Sequence, residues 1–210
     1  MNAIQTSIPI LQPGLPKFGI FTLDPLKIVS LEIGEGSNNR PVSINLKFKD
    51  FSLAGIRSAV ITNVVSDLNN YHLEIRGYLK DPVKIESDYE MKGNILFLPL
   101  VGNGKCHLTL DDVKAALILK GSPLTKDGKV YMDLKSLELK LETSRLHMNF
   151  ENLLSENKEV GDNLNQFLNE NWKEIFAEIN PAITQALGTA FKEIATRLFN
   201  KIPYDDVFLP

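Results

Sequence analysis

The chain has 210 residues, 43% of them hydrophobic, so it sits at the upper end of one domain and can bury a sizeable core. Its net charge of −3 comes from acids and bases interleaved along the chain, which argues against a nucleic-acid partner and against an acidic tail. No apolar run is long enough to span a bilayer as a helix, and residues 1–20 lack a basic stretch followed by an apolar one. The single cysteine, Cys106, excludes an internal disulfide framework and a multi-cysteine metal site. His72, His107 and His147 have no ligand spacing, so no metal and no cofactor are expected.

The first 25 residues are cut by Pro9, Pro13, Pro16 and Pro25, which predicts at most one helical turn before Pro9 and an extended lead-in after it. Strand patterns begin with LKIVSLEI and PVSINLKF, where Val42, Ile44, Leu46 and Phe48 alternate with polar residues. Gly55 marks the next interruption, a strand follows over 56–67, and Asn69 and Asn70 turn the chain into YHLEIRGYL, with Gly77 as a candidate bulge. Two long strands are then expected over 83–98 and 105–120, joined by PLVGNGK with Gly102 and Gly104 in the turn. Val83, Ile85, Tyr89, Met91, Ile95 and Phe97 share odd parity in the first of these. Leu96, Leu98 and Leu100 make its end apolar on the outer face as well. In VYMDLKSLELKLETSRLHMNF the apolar parity shifts twice, which predicts bulges near Ser136 and Ser144 and hence strands that curl.

From Gly161 to about Ile202 the period becomes helical. Pro181 interrupts the pattern but leaves its phase intact, so one kinked helix is expected there. About 42 residues at 1.5 Å each make roughly 63 Å, and only strands of about 16 residues, roughly 53 Å, could cover such a stripe. The expected fold is therefore α+β, a long curled antiparallel β-sheet wrapped around one long C-terminal α-helix. It forms one domain over 1–210, with the lead-in at 1–25, the sheet at 26–151 and the helix at 160–202. From pattern alone, the space between sheet and helix reads equally as a solid core or as an apolar tunnel.

Four ordered stretches, PGLPKFGIFTLDPLKI, YEMKGNILFLPLVGNGK, FENLLSENKEVGDNLNQFLNENW and IPYDDVF, resemble the takeout and juvenile-hormone-binding proteins of insects, part of the superfamily of tubular lipid-binding domains. The resemblance covers nearly the whole chain and leans toward takeout. It implies a secreted carrier that holds an isoprenoid hormone, fatty acid or related lipid in an internal tunnel. Takeout-like proteins are linked with feeding, circadian output and chemosensory tissues. Family members normally begin with a signal peptide and a closely spaced cysteine pair. This chain starts about where that pair would end, which reads as a shortened chain and leaves secretion resting on the family.

Large apolar residues on the inward parity are the candidate ligand walls: Phe48, Tyr89, Met91, Phe97, Leu117, Met132, Leu134, Met148 and Phe150 from the sheet, and Leu168, Trp172, Phe176, Ile179, Ile183, Leu187 and Phe191 from the helix. Methionines adapt to irregular ligands, and Tyr89 or Trp172 could donate a hydrogen bond to a polar head group. A ligand of roughly 20 heavy atoms would bind at about micromolar strength. No nucleophile motif appears, and Cys106 and His107 point to opposite faces of a strand, so an enzyme is not expected. The expected function is a soluble monomeric carrier that meets a receptor or a membrane surface at delivery. The competing reading is an interaction protein with a solid core, using Leu96, Leu98 and Leu100 as its contact patch.

Overall fold

The computed structural model describes residues 2–34, 42–95, 98–154 and 158–208. Helix α1, Asn2–Leu11, comes first. Nine strands follow among the described residues: β1 Leu26–Ile33, β2 Val42–Ala54, β3 Ala59–Asp67, β4 His72–Leu79, β5 Val83–Ile95, β6 Leu98–Asp111, β7 Lys114–Lys126, β8 Lys129–Glu142 and β9 Arg145–Phe150. Helices α2 Lys158–Glu170, α3 Trp172–Phe199 and α4 Tyr204–Val207 close the chain.

All strand pairs are antiparallel, in a five-stranded sheet ordered β1-β2-β5-β6-β9 and a four-stranded sheet ordered β3-β4-β7-β8. The chain passes between the sheets after β2, β4, β6 and β8, so each pair such as β6–β7 is one ribbon bent at the crossing. Hydrogen bonds hold the bends together, from the Leu79 N–H to the Val113 carbonyl at 2.9 Å and from the Ser144 N–H to the Asp111 carbonyl at 3.1 Å. At Gly55, with φ of 114°, a Cβ would lie 2.9 Å from the Pro82 carbonyl oxygen, so the β2–β3 crossing needs glycine. The two sheets thus make one curled surface, with α2 and α3 against its apolar side.

Several expectations are corrected by this arrangement. Helix α1 runs ten residues and contains Pro9 near its end. Tertiary anchoring outweighs the proline here, because the Gln5 amide donates to the Ala59 carbonyl at 3.0 Å and accepts from the Ile61 N–H at 2.8 Å on β3. The β5–β6 ladder continues to Ile95 opposite Leu98, beyond the expected PLVGNGK turn, and residues 96 and 97 lie outside the described residues. Gly102 and Gly104 instead sit in β6 opposite Met91 and Tyr89. A Cβ on Gly102 would lie 2.6 Å from the Tyr89 hydroxyl, so this glycine makes room for a ring rather than for a turn.

The same register reverses the expected parity of the outer leucines. Odd residues point inward on β5 and even ones on β6, so Leu100 is fully buried and Leu98 packs on the core. Leu96 lies outside the described residues. The expected strand over 105–120 is two strands, divided at Asp112, whose φ is 49°, and no strand among the described residues exceeds 14 residues. The bulge near Ser136 is present, because Lys120 faces Ser136 while Gly121 faces Leu134. Near Ser144 the chain crosses between sheets instead of bulging. Beside Gly77 the extra residue is Thr62, on the facing strand β3.

The single helix expected over 160–202 is two, divided at Asn171, while the helix does continue through Pro181 inside α3, as expected. Asn171 bonds the Phe167 carbonyl with both its backbone N–H, at 3.1 Å, and its own side-chain amide, at 2.8 Å. That local competition for a helix acceptor accompanies the break between α2 and α3. Arg145 donates to the Asn169 carbonyl at 2.9 Å, satisfying an acceptor in the last turn of α2. Asn165 and Asn169, one turn apart, both reach β9. Asn165 accepts from the Phe150 N–H at 2.8 Å and donates to its carbonyl at 2.9 Å, and Asn169 does the same with Met148 at 2.8 and 2.7 Å. The α4 segment closes the other end, where Tyr204 packs on Tyr71 at 4.5 Å and donates to the Leu68 carbonyl at 2.8 Å.

Two measurements check this packing. Asn169→Ala strips both partners from the Met148 peptide groups and should lower the urea unfolding free energy by about 2 kcal/mol. Amide exchange at Met148 should accelerate more than at Leu146; equal protection would show that the amide clamp is dispensable. Burial pushes the Cys106 thiol up to about 12. Between the ordinary thiol value of about 8.5 and that value, the folded chain keeps a proton that the unfolded chain releases, so stability falls as pH rises. Burial also raises Tyr89, but its effect begins only above about pH 10. Between about pH 8.5 and 10, Cys106→Ala should therefore flatten the decline of the urea midpoint.

Candidate functional site

The inward residues singled out in the sequence fall in two connected clusters. Phe48, Tyr89, Met91, Met148, Phe150, Leu168, Trp172 and Leu187 are buried in the first, with Leu117, Phe176, Ile179, Ile183 and Phe191 packed against it. Met132 and Leu134 belong to the second, around Leu119 and Phe199, and Leu117 touches both. Phe97 lies outside the described residues. A bulge in β2 at Asp50, where φ is 50°, lets both Phe48 and Phe51 turn inward, with ring centroids 5.7 Å apart.

The polar atoms among these residues are engaged by the chain itself. Tyr89 packs edge-on against Phe150 at 4.9 Å and donates its hydroxyl hydrogen to the Glu151 carbonyl, so that hydrogen serves the fold. The Arg145 guanidinium lies 5.6 Å from the Trp172 ring centroid, a cation–π contact at the junction of α2 and α3. Cys106 is fully buried while His107 is exposed, 3.9 Å from Glu86, so the two point to opposite faces. Among the described residues no group of three or more His, Cys, Asp or Glu could hold a metal ion.

Two open clefts lie beside α3. One cleft of about 730 Å³ runs between residues 19–29 and the last turns of α3, where Ala190, Glu193, Ile194 and Arg197 form its wall. A second, of about 510 Å³, runs between β1 from Ile28 to Gly34 and α3 at Ala182, Gln185, Ala186, Thr189, Ala190 and Glu193. The two share Ile28, Ala190 and Glu193, so they adjoin along one side of the helix. Their floors belong to the core, because Leu26, Leu31 and Ile33 are buried in the first cluster and Ala182, Ala186 and Ile194 pack on it. Asp24 fixes the inner wall by accepting from the Gly55 N–H at 3.2 Å and the Arg57 N–H at 2.6 Å. Arg197 bridges the cleft by donating to the Gly19 carbonyl.

Sequence reasoning singled out the bulky stripe and passed over this wall. Ala182, Ala186 and Ala190 recur every four residues, one position before Ile183, Leu187 and Phe191, so they form a parallel row of small side chains. The segment 19–29, read as a lead-in, is the facing wall. Asn180 was missed too. Its amide donates to the Leu141 carbonyl at 3.2 Å, and its buried Oδ1 has no hydrogen-bond partner.

Comparison with known proteins places the chain. The family model for haemolymph juvenile hormone binding protein matches residues 1–209. The circadian clock-controlled protein daywake of Drosophila melanogaster is 25% identical over 210 residues, covering 97% of this chain and 80% of that protein. A putative beta-carotene-binding protein of Schistocerca gregaria is 22% identical over 207 residues, covering 98% and 81%. In fold, the chain superposes on the crystal structure of Epiphyas postvittana Takeout 1 with a TM-score of 0.84 at 24% identity, over 96% of this chain and 91% of that one. With the family model matched over residues 1–209, the chain belongs to the haemolymph juvenile hormone binding protein family, and it shares the fold of Takeout 1.

Proposed function

We propose that this chain is an extracellular carrier that holds an elongated hydrophobic small molecule, an isoprenoid, fatty acid or related lipid, against α3. The carrying observation is the pair of adjoining clefts, about 730 and 510 Å³, whose floors are the apolar core itself. The size and mainly apolar lining of the larger cleft suit a ligand of this class, while Ser30, Glu32, Gln185 and Thr189 make the smaller one the more polar end. The family's name and the beta-carotene binding in the name of the Schistocerca gregaria relative support the same ligand chemistry. In this reading the ligand lies along the Ala182, Ala186 and Ala190 row, and the buried residues from Phe48 to Phe191 named above form the wall behind it. A ligand seated more deeply, as in a tunnel, lies among those side chains, and Met91, Met132 and Met148 adapt to it at least cost. The carrier works by binding and release, with no catalytic step.

Native mass spectrometry of the purified protein, followed by organic extraction, should find a bound apolar molecule. A fluorescent fatty-acid or terpenoid probe should bind and be displaced in the range of about 1 to 10 micromolar. Ala190 lines both clefts, so Ala190→Phe should fill them and weaken probe binding about tenfold or more, a loss of about 1.4 kcal/mol. Ala116→Phe, in a separate cavity of about 330 Å³ beside Arg76 and Lys140, should leave it unchanged. No adduct and no displaceable probe would overturn the carrier reading.

A further inference from the structure

Phe21 and Val29, 83% and 84% exposed, are the two most exposed large apolar side chains among the described residues. Both line the rim of the larger cleft, together with Lys27 and Arg197. Lys27 and Val29 are two apart on β1 and exposed on the same face. Two further cations, Lys17 and Lys201, belong to the neighbouring segments. Lys201 lies one turn beyond Arg197, donates to the Lys17 carbonyl at 3.1 Å and sits 5.9 Å from the Phe18 ring centroid. Glu193 is the single acid among the residues that line this cleft. In a chain of net charge −3, Lys27 and Arg197 thus line the same cleft as its two most exposed apolar side chains, and Lys17 and Lys201 stand together at the segment that leads into it.

We propose that this rim docks on an anionic lipid surface. Phe21 and Val29 enter the boundary between head groups and acyl chains, and the four cations face the lipid phosphates and carboxylates. Exposed apolar residues ringed by Lys and Arg are what binding to such a surface requires, because apolar burial and charge attraction then act together. Docking in this pose sets the cleft mouth against the bilayer, so an apolar ligand can cross without passing through water. The inference goes beyond the carrier reading and is tested without any added ligand.

The test is co-sedimentation with vesicles of phosphatidylcholine alone or mixed with phosphatidylserine. The protein should bind the mixed vesicles, bind the neutral ones far less, and dissociate as salt is raised. Phe21→Ser combined with Val29→Ser alters only side chains more than four-fifths exposed, so the fold should persist, and vesicle binding should fall about tenfold or more. Lys17 lies outside the cleft lining; Lys17→Glu should weaken vesicle binding about fivefold or more, Lys17→Arg should restore it, and probe displacement in solution should not change in either. Equal binding to both vesicle types, binding to neither, or an unaltered double serine variant would overturn the proposal. So would a dimer in light scattering that the serine variant dissolves, since the rim would then be a contact between copies. Failure of probe displacement with vesicle binding intact would sink the carrier reading alone.

Discussion

An edge strand carries a row of backbone N–H and C=O groups that must find partners, and in this molecule helix amides supply many of them. Asn165 and Asn169 present two amide groups to β9 at the spacing of alternate strand residues, so one face of α2 stands in for a neighbouring strand. Gln5 does the same for β3, and Asn180 reaches the β8 carbonyl of Leu141. These contacts fix each helix in rotation as well as position, which apolar packing alone would leave loosely specified. The fourth edge strand, β1, receives no such amide among the described residues, and both clefts run along it. The two clefts beside α3 thus adjoin the edge that no helix amide seals.

The bends between sheets serve the same arrangement. Each crossing lets a ribbon change direction where its side chains change faces, so the apolar surface stays on the inside while the sheet curls. The bulge at Asp50 and the glycine at 102 act at shorter range, the first turning two phenylalanines inward and the second leaving room for Tyr89. Tyr89 then ties β5 to the Glu151 carbonyl at the end of β9, so the five-stranded sheet is cross-linked through its own interior.

Fold class, the strand order of residues along the chain and the inward parity on β5 and β9 were legible because burial imposes a period of two, and the helix was legible from its period of three to four. What was not legible came from contacts between distant segments. The β5–β6 turn was assigned to Gly102 and Gly104 because glycine is the usual mark of a hairpin, whereas these glycines answer to Tyr89, Glu151 and Leu153. Proline was overvalued at Pro9, which sits inside α1 because Gln5 holds that helix to β3. Pro181 sits inside a continuous helix as its unbroken phase implied, and the break that was missed falls at Asn171. The amide clamps could not be read at all, since an asparagine at a helix surface looks the same in sequence whether it meets water or a strand edge.

The cleft itself was half legible, and the reason bears on how such a site is encoded. A search for ligand walls favours large apolar residues, but large residues on a helix facing a sheet fill the space between them. Phe176, Ile183 and Leu187 pack against the first core cluster for that reason. Space persists where the helix presents Ala182, Ala186 and Ala190, whose side chains are too short to reach β1 at the distance set by the bulky row beside them. The bulky row acts as the spacer and the alanine row as the slot. A one-residue shift of the bulky row would set large side chains opposite β1 and close the groove, so the phase between two helical stripes, rather than the content of either, determines whether this helix leaves room for a ligand.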